Sequence, residues 1–250
     1  MNILITDATS PLAQTITTDL APDHHLRLLD TTHPNTLPEN TEFIQASPTD
    51  TDTDTVWKAV RDIDALILTG EPPPNQSNTP LEHQETLLDQ AIRGTHILCQ
   101  AAVDAGVKRF VYGSTLEIFS SYPDTVYISE LHKPLPTPET YQMVRYLGEL
   151  TCREFARENR ITATALRLGK LVREEDVADQ KQDPMWLDLR DAAQAFRLAL
   201  QRDDSSSIKW QGRWNIYHIC ASLANPKFLI DQAHSMGYQP QHNFQGNIFS

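Results

Sequence analysis

One tyrosine and one arginine lie four residues apart in a segment with a helical pattern. We predict a helix from Glu139 to Asn159, and residues four apart on a helix share a face, so Tyr141 and Arg145 should be neighbours. A phenol, with an ordinary pKa of about 10, accepts an alcohol proton at neutral pH only where a nearby cation stabilises the phenolate. This spacing permits proton transfer by Tyr141 but does not by itself require it. The alternative is a packing aromatic beside an exposed charge.

The beginning of the chain contains a second group of residues with chemical potential. Residues 2–6 form a short apolar run typical of a strand, Ser10 and Pro11 open a helix through about Leu20, and residues 26–30 form another strand. In such a unit the helix N-terminus lies beside the strand ends, where free amide groups and the helix dipole favour a pyrophosphate. This order of elements predicts a dinucleotide-binding turn over residues 6–13.

The three glycines that usually form this turn are replaced. The pattern Thr-Gly-x-x-Gly-x-x-Gly has become Thr6 followed by Asp7, Ser10 and Ala13 at the glycine positions. An ionised Asp7 near a pyrophosphate would cost about 2–3 kcal/mol at an effective dielectric constant of about 20, and binding would weaken by about two decades. Alternatively, Ser10 is a good N-cap and Pro11 suits the first helical position, so the helix would start equally well without a ligand.

Asp30 ends the second predicted strand, about twenty residues after the turn. A carboxylate at this place suits the adenosine ribose hydroxyl groups of NAD and repels the additional phosphate of NADP. We therefore expect NAD, with NADP disfavoured. The alternative is an exposed residue at the end of a strand, before the turn-rich segment 31–35.

Composition excludes several classes of partner. The chain has 250 residues and a net charge of −12, with 21 Lys and Arg against 33 Asp and Glu, which argues against nucleic acid. Cys99, Cys152 and Cys220 are widely spaced and the nine His lack ligand spacing, so we expect reduced thiols and no metal site. A basic apolar leader and a run of eighteen apolar residues are both absent, which predicts a cytoplasmic protein without a secretion signal or membrane span.

Strand and helix patterns alternate through the first two thirds of the chain, which predicts an α/β fold with helices on both faces of a parallel sheet. Proline-rich loops cover 71–75 and 133–138, and Gly106 ends a long helix. The predicted strands cover 2–6, 26–30, 43–46, 65–69, 109–112, 163–168 and 214–220. The predicted helices cover 11–20, 56–61, 79–105, 139–159, 192–200 and 226–236.

The order and spacing of these motifs resemble the extended short-chain dehydrogenases/reductases, the family of NAD-dependent epimerases and dehydratases. The resemblance spans nearly the whole chain and rests on the turn at 6–13, the strand at 65–68, and the motifs at 106–115, 141–145, 166–169 and 186–193. It implies a Rossmann-type, doubly wound parallel sheet in a single domain, 1–250, with a small C-terminal substrate lobe over about 170–186 and 213–250. It also implies a homodimer through helices 79–105 and 139–159.

The resemblance also implies site residues. In the family a Tyr is the general acid/base, a Ser or Thr orients the substrate oxygen, and a Lys four residues after the Tyr binds the cofactor ribose. These roles correspond to Tyr141, Thr115 and Arg145. Arg145 replaces the Lys of the family with a guanidinium, which is bulkier and does not readily release a proton. Ser47 and Ala91 replace a usual Asp and Asn. The implied cofactor-binding residues are Asp7, Ser10, Pro11, Leu12, Asp30, Ser47, Leu68, Thr69, Gly70, Tyr141 and Arg145.

The substrate cleft should be small, because only about sixteen residues separate Gly169 from Trp186. This compact build is similar to that of the uronate dehydrogenases within the family. Lys181 is the candidate cation for a substrate carboxylate, although it also fits an ordinary solvated loop charge. Glu117 lies at a substrate-contacting position and would repel an acidic sugar. We expect an NAD-dependent oxidoreductase or epimerase-like enzyme that acts on a small sugar, polyol or sugar acid.

A rival interpretation comes from the accumulated replacements. Glycines, Lys, Asp and Asn have all changed at positions with functional roles in the family, while the scaffold pattern remains legible. This combination also fits a catalytically silent family member that senses a nucleotide or serves as a structural or interaction subunit. Fold alone does not separate the two interpretations.

Overall fold

A parallel sheet forms the centre of the protein in the computed structural model, which describes residues 1–49, 53–72 and 79–244. Within these residues, seven strands pair in the order β3-β2-β1-β4-β5-β6-β9, all parallel, and β7 pairs with β8 alone. The strands are β1 Asn2–Thr6, β2 His25–Asp30, β3 Thr41–Gln45, β4 Ala65–Leu68, β5 Arg109–Thr115, β6 Thr162–Leu168, β7 Lys170–Val172, β8 Trp186–Asp188 and β9 Trp214–Ile219. The predicted Rossmann-type α/β fold is confirmed.

Helices cover both faces of this sheet. Helices α1 and α6 pack on one face, and α2, α4 and α5 pack on the other. The α-helices are α1 Pro11–Leu20, α2 Thr53–Val60, α3 Pro80–Leu88, α4 Thr95–Asp104, α5 Thr140–Glu158, α6 Leu189–Leu200, α7 Trp210–Arg213 and α8 Asp231–Ser235. A π-helix, Asp89–Gly94, joins α3 to α4, and 3₁₀ turns cover Leu116–Phe119 and Glu174–Val177.

The core follows from the alternation of side chains along buried strands. In β1, Ile3 and Ile5 enter the cluster beneath α1 and α6, whereas Leu4 enters the cluster beneath α2, α4 and α5. Parallel strands that are buried on both faces contain continuous apolar runs, as β1 and β4 do. The strand order reverses between β1 and β4, so a crevice opens at their carboxyl ends, where doubly wound sheets bind ligands.

The local signals that begin and end helices behave as their chemistry predicts. Ser10 is the N-cap of α1, and its Oγ accepts a hydrogen bond from the Ala13 amide at 3.1 Å, while Pro11 takes the first helical position. Gly106, after α4, adopts a φ of 85°, a conformation that glycine tolerates without steric cost.

Two predicted helices were wrong in part, and two short strands escaped prediction. The helix predicted over 79–105 is interrupted by the π-helix. The helix predicted over 226–236 shrinks to α8, because Phe228 and its neighbours pair instead with the backbone of Ile128. The strands β7 and β8 were missed, since each has three residues and pairs only with the other.

The division into a single domain with a small substrate lobe stays a prediction. One segment assigned to that lobe belongs to the main sheet instead. The range 213–250 contains β9, which is hydrogen-bonded to β6 at one edge of the main sheet. The predicted loop at 71–75 is described only as far as residue 72, and its remaining residues lie outside the described part of the chain.

In the described ranges, no helix is long and apolar enough to cross a membrane. Nor does this part of the chain contain a group of three or more His, Cys, Asp or Glu that could hold a metal ion. All three cysteines are free and buried, and the sulfur atoms of Cys99 and Cys152 are 4.0 Å apart.

Candidate functional site

A crevice of about 260 Å³ lies at the carboxyl ends of β1, β2 and β4, where the sheet order reverses. Three of its lining side chains are carboxylates, and none of the described ones is cationic. The lining residues are Asp7, Thr9, Ser10, Pro11, Leu29, Asp30, Thr31, Pro48, Glu71, Pro72 and Gln90. This acidic lining opposes an anion electrostatically, so a dinucleotide phosphate depends here on oriented hydrogen-bond donors.

Asp7 occupies the first glycine position and retains a glycine-like backbone. Its φ is 57°, a left-handed conformation that Asp tolerates better than most residues. The carboxylate accepts hydrogen bonds from the hydroxyls of Thr6, at 2.7 Å, and Thr69, at 2.6 Å. The side chain is thus held toward the end of β4. Burial, reinforced by the charges of Asp30 and Glu71, raises the pKa of Asp7 to about 6 against the opposing effect of the two hydroxyls.

The N-terminus of α1 has few free donors for a phosphate. Pro11 has no amide hydrogen, and the Ala13 amide is already bonded to the Ser10 side chain. The Ser10 amide donates to the Asp7 carbonyl oxygen at 2.8 Å. Leu12 therefore provides the remaining amide donor in the first turn.

Asp30 lies at the end of β2 and is tied to the turn after β1. Its Oδ2 accepts hydrogen bonds from the Thr9 amide and the Thr9 hydroxyl, each at 2.8 Å, and its Oδ1 accepts one from the Thr32 amide at 3.2 Å. These contacts orient the carboxylate along the wall of the crevice. Ser47, by contrast, forms local hydrogen bonds with the amide and hydroxyl of Thr49 and does not line this crevice.

Thr69 and Gly70 come directly after β4, and Leu68 is its last residue. Gly70 has a φ of 68°, and a Cβ atom added there would lie 2.3 Å from the Gly113 carbonyl oxygen. Only glycine fits this position without a shift of the backbone. Leu68 and Gly70 line a smaller inner cavity of about 40 Å³, which has room for only a few water molecules.

Tyr141 and Thr115 are brought together by α5 and the end of β5. The Thr115 side chain lies close enough to the Tyr141 hydroxyl to lower the pKa of the phenol, and the Thr115 oxygen accepts a hydrogen bond from the Glu117 amide at 3.2 Å. Burial raises the pKa of Tyr141 above its ordinary value of 10.0, and the positive charge of Arg145 opposes that shift. The phenol consequently stays protonated at neutral pH in the protein alone.

Arg145 is buried and holds strand ends together, so its reading as an exposed charge is wrong. One guanidinium nitrogen donates to the carbonyl oxygens of Gly70 and, at 3.3 Å, Thr69, and the other donates to that of Ser114 at 3.1 Å. The first nitrogen also lies 3.4 Å from Glu71 Oε1. These contacts link the ends of β4 and β5 and leave the donors directed at the protein.

The guanidinium remains close to the phenol despite these contacts. The Cζ atom of Arg145 is 5.5 Å from the centre of the Tyr141 ring. Its Nε is buried without a hydrogen-bond partner among the described residues. Arg145 therefore acts on Tyr141 through its charge, whereas a lysine at this position in the family contacts the cofactor directly.

The charge of Glu117 acts on Tyr141 and raises the pKa of the phenol. Glu117 is partly buried, and burial raises its pKa, while the charge of Lys170 opposes the shift. The Lys170 ammonium forms an ion pair with Asp183 at 2.6 Å. Lys181, the predicted substrate cation, is instead exposed on the loop before β8.

Sequence reasoning missed Thr9, Glu71, Lys170 and Asp183. Lys170 directly follows the motif at 166–169, so its adjacency to that motif was an available signal. Glu71 likewise follows the last residues of the β4 segment. Thr9 and Asp183 gave no signal, because their roles arise from contacts made across the fold.

Comparison with known proteins adds family information. The model of the NAD dependent epimerase/dehydratase family matches residues 15–184. An NAD-dependent glucose-6-phosphate dehydrogenase from Haloferax volcanii is 25% identical over an alignment of 258 positions, which covers 96% of this chain and 93% of that protein.

Solved structures resemble this chain over nearly its full length. Uronate dehydrogenase from Agrobacterium tumefaciens has a TM-score of 0.78 at 19% identity, with 98% of this chain and 85% of that chain covered. A short-chain dehydrogenase/reductase superfamily protein from the same species, with bound NAD, has a TM-score of 0.78 at 15% identity, with 98% and 94% covered. These likenesses show a shared fold.

Proposed function

Because the chain belongs to the NAD-dependent epimerase/dehydratase family, we propose that it is an NAD-dependent oxidoreductase that acts on a small, uncharged sugar or polyol. The observation that carries the proposal is the proximity of the Tyr141 and Thr115 side chains beside a crevice that contains Asp30. This pair offers a proton-transferring phenol and an orienting hydroxyl at the same edge of the sheet as the crevice.

The residues of the crevice fit NAD at three places. The Asp30 carboxylate suits the adenosine ribose, the Leu12 amide suits a phosphate oxygen, and the close approach at Gly70 leaves the end of β4 free of a side chain. Asp30 also opposes the additional phosphate of NADP. The carboxylates of Asp7 and Glu71 weaken phosphate binding, and protonation of Asp7 relieves part of that repulsion.

The chemistry divides between cofactor and protein. NAD, when bound, supplies the nicotinamide ring that oxidises the substrate carbon. Thr115 holds the substrate oxygen, and the Tyr141 phenolate accepts the proton of the substrate hydroxyl. Arg145 stabilises the phenolate by its charge 5.5 Å from the ring centre. Because burial outweighs this effect and raises the pKa of Tyr141, oxidation should become faster as pH rises, and the protonated phenol can donate its proton in the reverse direction.

The groups around the substrate position favour an uncharged molecule. Lys170 is neutralised by Asp183, and the nearby Glu117 leaves an excess of negative charge when it is ionised. Carboxylates and ammonium groups bind sugar hydroxyls well, whereas a sugar acid or sugar phosphate would face repulsion. The named activities of the relatives support a sugar-type substrate, and this group of charges supports the uncharged class.

A ligand titration followed by a substrate panel tests the proposal. NAD at millimolar concentration should raise the unfolding temperature, and NADP should raise it less. With NAD, neutral aldoses and polyols should be oxidised faster than uronates or sugar phosphates. Glu117→Gln is the matched variant, because it keeps the side-chain shape and should improve the relative rate with uronates. No stabilisation by NAD would refute the proposal.

The second candidate is a catalytically silent nucleotide sensor. It is favoured by the donors of Arg145, which are directed at backbone carbonyls, and by the acidic lining of the crevice. A sensor would be stabilised by a dinucleotide but would show no turnover with the panel at any pH. Stabilisation with turnover that depends on Tyr141 would exclude it.

We also propose a homodimer in the cytoplasm, with α4 and α5 at the interface. A surface groove between these helices is lined by Ile92, His96, Leu147, Leu150 and Phe155, among others. Apolar surface of this kind suits an isologous helical interface. Light scattering after size exclusion should give twice the chain mass, and a charged replacement at Leu150 should give the monomer. A monomeric wild-type protein would contradict the proposal.

A further inference from the structure

We propose that Glu71 binds the hydroxyl groups of the nicotinamide ribose of NAD, and that Arg145 positions its carboxylate for this contact. The inference rests on the proposed function, because it concerns how the same crevice holds its cofactor. In this arrangement Glu71 and Arg145 together take the role of the family lysine, and only Glu71 contacts the ligand.

The backbone after β4 places Glu71 at the crevice. Gly70, with its φ of 68°, turns the chain, and the Glu71 amide donates to the Thr69 hydroxyl at 3.3 Å. The Glu71 side chain is 18% exposed and lines both the crevice and the inner cavity. Glu71 is therefore an anchored side chain at the boundary of the two spaces.

Glu71 lines the inner cavity together with Asp7 of the phosphate turn and Tyr141. Its charge contributes to the raised pKa of Asp7 on one side and of Tyr141 on the other. The nicotinamide ribose of a bound dinucleotide joins these same two regions, because it connects the pyrophosphate to the reacting ring. Glu71 thus lies where that ribose would pass.

Arg145 is not free to take the role of the family lysine. Its side chain is 2% exposed, and three backbone carbonyls receive its hydrogen bonds. Its remaining polar contact is with Glu71 Oε1 at 3.4 Å. The guanidinium consequently presents a carboxylate to the crevice in place of its own donors.

A carboxylate is chemically suited to a ribose. Its two oxygen atoms accept hydrogen bonds from both neighbouring hydroxyl groups of the sugar, and an Asp or Glu recognises the adenosine ribose in this way in dinucleotide-binding folds. Asp30 occupies that adenosine position in this chain. Glu71 would repeat the same recognition at the other ribose.

The test is a thermodynamic cycle in which the hydroxyl groups are removed from the ligand and the carboxylate is removed from the protein. Calorimetric titrations compare NAD with its analogue lacking the 2′ and 3′ hydroxyl groups of the nicotinamide ribose, which has the same charge. Wild-type protein should bind the analogue roughly tenfold more weakly. Glu71→Ala should bind both ligands equally, and Glu71→Gln should lose part of the difference.

Asp30→Ala is the matched control. It should lose discrimination against an analogue lacking the adenosine 2′ hydroxyl, while it keeps discrimination at the nicotinamide ribose. Unfolding temperatures recorded for each variant show whether Arg145 tolerates the loss of its partner, and Glu71→Gln preserves a hydrogen-bond acceptor if Glu71→Ala does not fold.

Three results would overturn the inference. Equal binding of both ligands by the wild type, or an undiminished difference in the folded Glu71 variants, would remove Glu71 from ribose recognition and leave the proposed function standing. Failure of the wild type to bind NAD at all would overturn both proposals together.

Discussion

The Asp7 carboxylate accepts a hydrogen bond from the Thr69 hydroxyl, with 2.6 Å between Oδ2 and Oγ1. This contact joins the turn after β1 to the end of β4, the two strands between which the sheet order reverses. A glycine at position 7 would leave Thr69 without this partner. The replacement of the first glycine therefore adds a link across the crevice as well as a charge.

Asp7 should make the protein less stable as pH rises from about 4 to 7. Its folded pKa of about 6 exceeds the unfolded value of 3.8, so the folded state binds the proton more tightly. The contribution of Asp7 to the free energy of unfolding is fully present below the unfolded pKa and is lost as pH rises through the folded pKa. At roughly 1.4 kcal/mol for each pKa unit, the loss is at most about 3 kcal/mol. Urea unfolding of wild type and Asp7→Asn between pH 4 and 8 measures the difference. Parallel curves for the two proteins would contradict the prediction.

Asp7→Gly should tighten NAD binding by one to two decades at pH 8, because it removes a negative charge close to the phosphates. Wild-type affinity should rise as pH falls through about 6, where Asp7 becomes protonated, and the variant should lack this dependence. Calorimetry at pH 5.5 and 8 gives both values. Asp7→Asn is the control for charge alone, and an unchanged affinity in both variants would show that this carboxylate is screened from the ligand.

Tyr141→Phe should abolish turnover and leave NAD affinity within about twofold of the wild type, because the ring is kept and the proton acceptor is lost. The rate of substrate oxidation by the wild type should increase with pH beyond neutrality, since the Tyr141 pKa lies above 10.0. A pH profile of kcat/KM from 6 to 10.5 checks this expectation. A plateau reached near pH 7, or full activity of the Phe variant, would assign the proton to another group.

Arg145→Lys should destabilise the fold by about 2–4 kcal/mol. An ammonium cannot span the carbonyl oxygens of Thr69, Gly70 and Ser114, and those left unpaired carry a desolvation cost. Urea unfolding measures the loss. Arg157→Lys, on an exposed turn of the same helix, should leave the urea midpoint essentially unchanged, because solvent screens its ion pairs. Equal effects of the two substitutions would mean that the buried network is not needed.

Prediction from sequence worked best where the signal was local. The apolar runs of β1 and β4 identified buried strands, and Ser10 with Pro11 marked the start of α1, because capping and strand burial depend on neighbouring residues. The π-helix escaped prediction, since residues 89–94 have ordinary helical composition and the insertion is a matter of packing.

The candidate site divides in the same way. The sequence by itself placed Asp30 at the end of a strand and Tyr141 near the start of a helix, because these boundaries follow from periodicity, while the family resemblance implied that Thr115 joins Tyr141. Only the tertiary structure decided where the charges point. Arg145 lies 76 positions from the Thr69 carbonyl group to which it donates a hydrogen bond, and Lys170 forms an ion pair with Asp183, thirteen positions away. Arg145 is a buried charge, and leaving such a charge unpaired costs several kcal/mol, so its partners are the carbonyl groups that packing between distant segments brings within reach.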